Sequence, residues 1–207
     1  MSMSKDISKN AQHIKAQLAD FILTHYKDGI IASEVPVEEK QSIVDMMFIG
    51  KDILIGFEIK SDFDTTYRLE KQIENYYGAF NQLYIVCGEG FYKKNNIIKK
   101  GVGVIISNNE GLKLKRKAAH RKFPSKKKMV NFLWKSDLPF PSLKNSMGAG
   151  ELKLKAANEI LTGDLFKLVI NSLTNRYQSR FDSFMKARGG ITFVQDVDVL
   201  TIQDRYL

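Results

Sequence analysis

Residues 43–61, IVDMMFIGKDILIGFEIKS, read as two apolar β-strands meeting at Gly50-Lys51, where the chain can fold back on itself. Such a hairpin commits the chain to a sheet and leaves little freedom for the charged residues inside it. Successive side chains of a strand point to opposite faces, so Glu58 and Lys60 share one face while Phe57 and Ile59 take the other. Antiparallel pairing about Gly50-Lys51 then sets Asp45 opposite residues 56–58, and Asp45, Glu58 and Lys60 converge on one small volume. Two carboxylates so placed repel. A divalent cation between them turns repulsion into attraction and leaves the lysine to hold or activate a water. In outline this is a hydrolytic metal site.

The flanking sequence supplies the layers. Residues 10–26 read as a helix with Ile14, Leu18, Phe21 and Ile22 on one side. Residues 30–35 read as a short strand and residues 36–41 as a charged turn. A second helix follows the hairpin, capped by Asp64 or Thr65, with Leu69, Ile73, Tyr76, Tyr77 and Phe80 at helical spacing. Residues 82–87 form a continuous apolar strand of the kind buried on both faces. GVGVIIS and LKLKRKA flank a turn at residues 108–111 and read as a further pair of strands, with Lys113, Lys115 and Lys117 on one face of the second. The expected fold is α/β, or α+β: a mixed sheet with helices on both sides.

Residues 125–134 read as a short helix. The Pro, Ser and Gly of residues 139–150 mark a linker, so the expected organisation is a core domain over 1–138 and a helical extension over 151–207. The extension carries helices at 151–161 and 164–188, with ITFVQDVDVLTI as a last strand. The apolar stripe of the longer helix is a candidate surface for a homodimer or a protein partner.

A chain of 207 residues can bury one core of about 100 to 150 residues with an appendage. No stretch reaches the roughly 20 apolar residues of a membrane helix, and the N-terminus lacks the apolar run of a secretory signal, so a cytoplasmic protein without membrane attachment is expected. The lone Cys87 lies in an apolar strand with no disulfide partner, and zinc held by thiolates is excluded. His13, His25 and His120 show no ligand spacing. GVGV precedes a strand and is not a nucleotide-binding loop. The net charge of +9 is uneven: from Lys113 to Lys135 there are ten Lys or Arg and no acid. A polyanion is the natural partner for such a stripe; the bland alternative is a solvated basic surface.

The placement of Asp45, Glu58-Ile59-Lys60 and the following helix resembles the PD-(D/E)XK nuclease superfamily, most closely a small bacterial branch whose third strand ends in EIKSD. Asp45 takes the place of the first acid, although Val44 stands where the motif has its proline; Glu58, Ile59 and Lys60 match the (D/E)-X-K triplet. Glu34 in SEVPV matches an upstream acid, and Gln72 matches a glutamine of the next helix, with Tyr76 four residues on. The resemblance covers residues 12–135 and implies a restriction-endonuclease-like core. It also implies a Mg²⁺ or Mn²⁺ ion held by Asp45, Glu58 and the main-chain carbonyl of Ile59, with Glu34 completing the shell or holding a second ion. The metal lowers the pKa of a bound water, Lys60 orients or deprotonates it, and Gln72 holds a phosphate or the nucleophile.

The implied activity is hydrolysis of nucleic-acid phosphodiesters, DNA ahead of RNA. Ser61, Arg68, Lys113, Lys115, Lys117, Arg121, Lys122, Lys126, Lys127 and Lys128 are the candidate nucleic-acid contacts. A different class of function is a non-catalytic nucleic-acid-binding module of the same fold, acting through a partner protein. The structural alternatives are plain: a same-face ion pair for Glu58 and Lys60, a strand-end residue for Asp45, solvent-facing residues for Glu34 and Gln72, and core for Tyr76.

Overall fold

Six segments with strand patterning join into a single sheet. The computed structural model describes residues 3–38, 42–61, 64, 66–94, 99–108 and 110–201. Its strands are β1 (Gly29–Glu38), β2 (Ser42–Gly50), β3 (Ile53–Lys60), β4 (Gln82–Gly88), β5 (Gly103–Asn108) and β6 (Gly111–Arg116), hydrogen-bonded in that order. The helices are α1 (Met3–His25), α2 (Thr66–Tyr76), α3 (Glu89–Lys94), α4 (Lys126–Met129), α5 (Ala149–Glu159), α6 (Thr162–Ala187) and α7 (Val194–Asp198). β1, β2 and β3 are antiparallel neighbours, β3, β4 and β5 run parallel, and β6 returns antiparallel. Parallel neighbours require a crossover, and α2 and α3 supply the two. The mixed sheet flanked by helices agrees with the fold class expected from the sequence.

Both faces of the sheet are covered. On one, α1 lays Ile14, Leu18 and Ile22 against Met46, Phe48, Ile55 and Phe57. On the other, Leu69, Ile73 and Tyr76 of α2 share a core with Val44, Met47, Leu54 and Ile85. Gly56 of β3 belongs to this second face, where a Cβ would come within 2.7 Å of the Phe80 ring, so only glycine lets that ring seat against the strand. Asn81 fixes the same end of β3: its Oδ1 accepts the Leu54 N–H at 2.7 Å, and its Nδ2 donates to the carbonyls of Arg121 and Lys122 at 2.9 and 3.1 Å.

The C-terminal third departs from expectation. Leu152, Ala156, Leu165, Val169, Leu173 and Tyr177 lie in the same core as the sheet, so residues 151–187 complete the main body and do not form an appendage. Residues 139–150 are no spacer either, since Phe140, Leu143 and Met147 pack on that core around a 3-10 turn at Pro141–Leu143. The apolar stripe of α6 is therefore spent inside the molecule and is not a face for a second copy or a partner.

The expected last strand is instead α7. The Asp196 carboxylate accepts the Phe193 N–H at 2.8 Å and closes a first helical turn. Val197 and Leu200 bury themselves at helical spacing, and only Thr201 makes an isolated bridge, to Ser33. Two further boundaries shift. β1 runs through Pro36 to Glu38, which a missing N–H permits on the outer strand of a sheet; the rest of the expected turn, residues 39–41, lies outside the described residues. In β6, Leu114 faces Ile105 and Arg116 faces Val104. Lys115 is thus the extra residue of a bulge, and the expected alternation of three lysines on one face is broken there.

Candidate active site

β2 and β3 pair from Gly50 opposite Ile53 to Met46 opposite Phe57, and there the recorded pairing stops. One residue farther along β2, the Asp45 carboxylate accepts the Ile59 N–H at 2.6 Å. A side chain thus takes up a main-chain group next to the point where the two strands part, and this holds Asp45 beside Glu58. The β1 partner is irregular at the same level: Ser33 faces Met46 and Val35 faces Val44, while Glu34, between them, has a left-handed backbone with φ of 53°.

Glu58 and Lys60 form the same-face ion pair that their spacing allows, with Lys60 Nζ donating to Glu58 Oε1 at 2.7 Å. The pair is not exposed: the two residues are 1% and 7% accessible. Among the described residues Glu58 Oε2 is buried with no well-formed hydrogen bond, and so is Oε1 of Gln72 on α2; the Tyr76 hydroxyl is the donor that lies beside both. An unpaired buried acceptor costs about 1–3 kcal/mol, and two in one neighbourhood ask for a cation or a donor. The Tyr76 hydroxyl donates to the Ile43 carbonyl at 2.5 Å and is close enough to Glu58 and Gln72 to feel both. Tyr76, expected as core, is buried and also brings a polar atom to the site.

Burial first, and the charge of Asp45 second, push the Glu58 carboxyl up to about 8 against the pull of Lys60. Burial likewise raises the Asp45 carboxyl, opposed by the Ile59 N–H, Lys60 and Lys15. Desolvation, then Glu58 and Asp45, raise the Tyr76 phenol, which stays a neutral donor. An ion pair and a raised carboxyl coexist because two carboxyls face one ammonium group. One negative charge is left over, and a proton neutralises it unless a cation does.

Among the described residues no three His, Cys, Asp or Glu side chains gather as a metal-binding group. The oxygens that could hold an ion at this site are those of the Asp45 and Glu58 carboxylates, with the Ile59 carbonyl and the Gln72 amide oxygen beside them. Mg²⁺ is commonly held by one or two carboxylates with water and substrate phosphate filling the remaining positions, and the buried Glu58 Oε2 fits that demand. An all-protein cage does not.

Several other expected site residues are engaged with partners of their own. Glu34 lies level with Asp45, but its side chain is 52% exposed and accepts from Lys15 Nζ at 2.9 Å. Ser61 donates both its N–H and its hydroxyl to Asp64, each at 2.7 Å. It is occupied there, and Asp64 turns toward Ser61. Thr65 and the Arg68 side chain lie outside the described residues. Lys113 pairs with Glu110. Arg121 and Lys99 lie over the Tyr77 ring, 4.0 and 4.7 Å from its centroid, Lys122 lies over Phe123, and Lys126 reaches the Asn158 carbonyl. Lys117 and Lys127 are exposed.

Because Asn81 ties Arg121 and Lys122 to the level of Leu54, these main-chain segments sit four residues along the strand from Glu58, roughly 13 Å at about 3.3 Å per residue. Asp45, Glu58, Ile59, Lys60 and Gln72 come together; Arg121 and Lys122 do not join them, and Lys113, level with Lys60 by register, stands three strands away on β6. Lys15 escaped the sequence reading because a lysine on a helix, 19 residues before its partner, gives no local signal.

The solved structure of a protein of unknown function from Silicibacter pomeroyi, SPO1766, is similar in fold, with a TM-score of 0.53 at 12% identity over 87% of this chain and 96% of that one. Protein cII of Enterobacteria phage P4 is 29% identical over 196 residues, which are 86% of this chain and 72% of that protein. No membrane-crossing helix occurs among the described residues. The pattern of the family described as Bacteriophage P4 protein cII matches residues 4–201, and the chain belongs to that family.

Proposed function

We propose that this protein is a Mg²⁺- or Mn²⁺-dependent nuclease of PD-(D/E)XK type that hydrolyses phosphodiesters of nucleic acid, with DNA as the first substrate to test. The observation that carries this reading is the buried Glu58 carboxylate beside Asp45, whose Oε2 has no well-formed hydrogen bond among the described residues and only the Tyr76 hydroxyl near it. Asp45 and Glu58, with the Ile59 carbonyl, would hold the ion. When bound, the ion supplies Lewis-acid stabilisation of phosphate charge and acidifies a water.

The chain's own groups do the rest. The Ile59 N–H fixes one carboxylate oxygen of Asp45, so the ligand is oriented in advance. Lys60 holds Glu58 in place and carries an ammonium group into the site, where it orients the attacking water or takes part in its deprotonation. Gln72 turns an amide toward the same region and can donate to a phosphate oxygen. The basic end of the sheet, with Arg121, Lys122 and Lys127, attracts the nucleic-acid backbone at a distance from the chemistry.

The test is cleavage of plasmid DNA by the purified chain in Mg²⁺, Mn²⁺ and EDTA, beside Glu58→Gln and Lys60→Ala. Metal-dependent cleavage that both substitutions abolish is expected. Equal cutting by wild type and Lys60→Ala, or no cutting in either metal, overturns the reading. One observation favours a second reading: Lys60 already gives Glu58 a counter-charge at 2.7 Å, as a site retired from catalysis would. That chain binds nucleic acid with a steep salt dependence, cuts nothing, and keeps its binding in Asp45→Ala.

A further inference from the structure

Lys15 and Glu34 form an ion pair beside the carboxylate site, and neither residue has a part in the chemistry set out above. Lys15 comes from α1, a helix that otherwise buries apolar side chains on the opposite face of the sheet from Glu58. Its side chain is 15% exposed and ends on the Glu34 carboxylate at 2.9 Å. Glu34 sits where β1 is level with Asp45, between the pairs Ser33–Met46 and Val35–Val44. Its left-handed backbone, φ 53°, is uncommon for a residue with a side chain. Lys15 also acts on the Asp45 carboxyl, lowering it, while Glu34 raises it. Both charges therefore reach the site.

Counting charges shows what this pair can do. Glu34, Asp45 and Glu58 bring three negative charges and Lys15 and Lys60 two positive ones, an excess of one negative charge. A divalent cation reverses the excess to one positive, which is what a phosphodiester, with its single negative charge, neutralises. Within that set, Glu34 is the displaceable anion: it is half exposed and, among the described residues, its carboxylate holds only Lys15. A surface carboxylate of this kind binds its lysine by about 1 kcal/mol or less, so a phosphate can replace it.

We propose that Lys15 binds a phosphate of the nucleic-acid backbone at the mouth of the Asp45–Glu58 site, and that the Glu34 carboxylate occupies that phosphate's place until nucleic acid arrives. This rests on the reading that the ligand is a nucleic acid, but not on its being cut. The two partners of the pair then have opposite effects on binding, because one attracts the ligand and the other competes with it. A pair that only joins α1 to β1 gives both substitutions the same sign.

The experiment is binding of a short fluorescein-labelled DNA duplex to the full chain by anisotropy across a salt series, in EDTA and in Ca²⁺, with melting curves as a check on folding. Lys15→Gln is expected to weaken binding about tenfold and to reduce the slope of log affinity against log salt by about one. Lys15→Arg restores both. Glu34→Gln strengthens binding several-fold. If Lys15→Gln and Glu34→Gln shift affinity in the same direction, or neither shifts it in a folded protein, the proposal is overturned; absence of binding by wild type overturns it too. Cleavage in Mg²⁺ is read separately. Lys15-dependent binding with no cleavage keeps the phosphate contact and removes the nuclease, whereas cleavage and binding that ignore Lys15→Gln do the reverse.

Discussion

The two ends of β3 each bury a polar side chain, and they treat it in opposite ways. At the start of the strand Asn81 uses its carbonyl oxygen and both amide hydrogens, on Leu54, Arg121 and Lys122. Toward the other end Glu58 has one oxygen on Lys60, while the other, like the Gln72 oxygen, is buried with no well-formed hydrogen bond among the described residues and only the Tyr76 hydroxyl beside it. Folded proteins satisfy nearly all buried polar groups. A fully bonded group such as Asn81 is therefore architecture, while a poorly bonded pair beside a second carboxylate marks a place where something else binds. The contrast separates stability from function along a single strand, and each of the following measurements can break it.

The largest effect is expected in catalysis. Loss of Lys60 removes a cation that acts on both carboxylates, and Lys60→Ala should lower the cleavage rate by about 10²–10⁴-fold, the range for a group that handles a proton in the transition state. Single-turnover cleavage at saturating Mg²⁺ reads it. Asn81→Ala, once folded, should cut at nearly the wild-type rate; a matching loss there would erase the distinction between the two ends.

Stability should show the reverse order. Asn81→Ala strands one N–H and two carbonyls, and is expected to cost about 3 kcal/mol, roughly 10 °C in Tm for a chain of this size. Glu58→Gln leaves Asp45 and Lys60 as a balanced pair, so in EDTA it should melt at or above the wild-type temperature. A Glu58→Gln protein destabilised as much as Asn81→Ala would make Glu58 a structural residue.

How much of this the sequence carried depends on the range of the interactions. The hairpin, Asp45 and the Glu58–Lys60 pair were legible because alternation and one turn fix their relative positions; Gln72 was singled out only by the family resemblance, helical spacing giving the buried Leu69 and Ile73 around it. Glu34 does stand level with Asp45, but its left-handed backbone and its pairing with Lys15 have no local signal. Lys15 and Asn81 were missed because their partners are set by how α1 and residues 121–122 dock on the sheet. Residues 191–201 alternate like a strand, yet the Asp196 cap and the burial of Val197 and Leu200 select a helix. The split at residues 139–150 failed similarly: its Pro and Gly do mark turns, but Phe140 and Leu143 keep those turns on the core.

A pH series sharpens the contrast at the carboxylate end. The Glu58 carboxyl stands at about 8 in the folded chain against an ordinary 4.5, so the folded state binds a proton that the unfolded state gives up. In EDTA its contribution to stability is full below about pH 4.5 and is lost as pH rises toward 8. A divalent ion needs the carboxylate, so ion binding releases that proton, and affinity should climb up to tenfold per pH unit and level off above 8. Titration calorimetry with Mn²⁺ in buffers of different ionisation enthalpy counts the proton. A flat profile, or one unchanged in Glu58→Gln, would detach Glu58 from the metal.

The smallest expected effects belong to the basic end. Lys122 is held at the Leu54 end of β3, roughly 13 Å from Glu58 along the strand, and Lys127 is an exposed residue of the helix that follows, so they can add to capture of the polyanion without touching the bond that breaks. Lys122→Gln and Lys127→Gln should each weaken duplex binding by a few-fold and lower the salt slope by about one, uniformly across DNA sequences. The rate of cleavage of bound substrate should not change, because a contact made equally in the ground state and the transition state drops out of that rate. Single-turnover rates at saturating protein separate the two quantities. A drop in the bound rate would mean that the nucleic acid couples the two ends of the sheet, and that satisfied and unsatisfied groups on β3 act as one site.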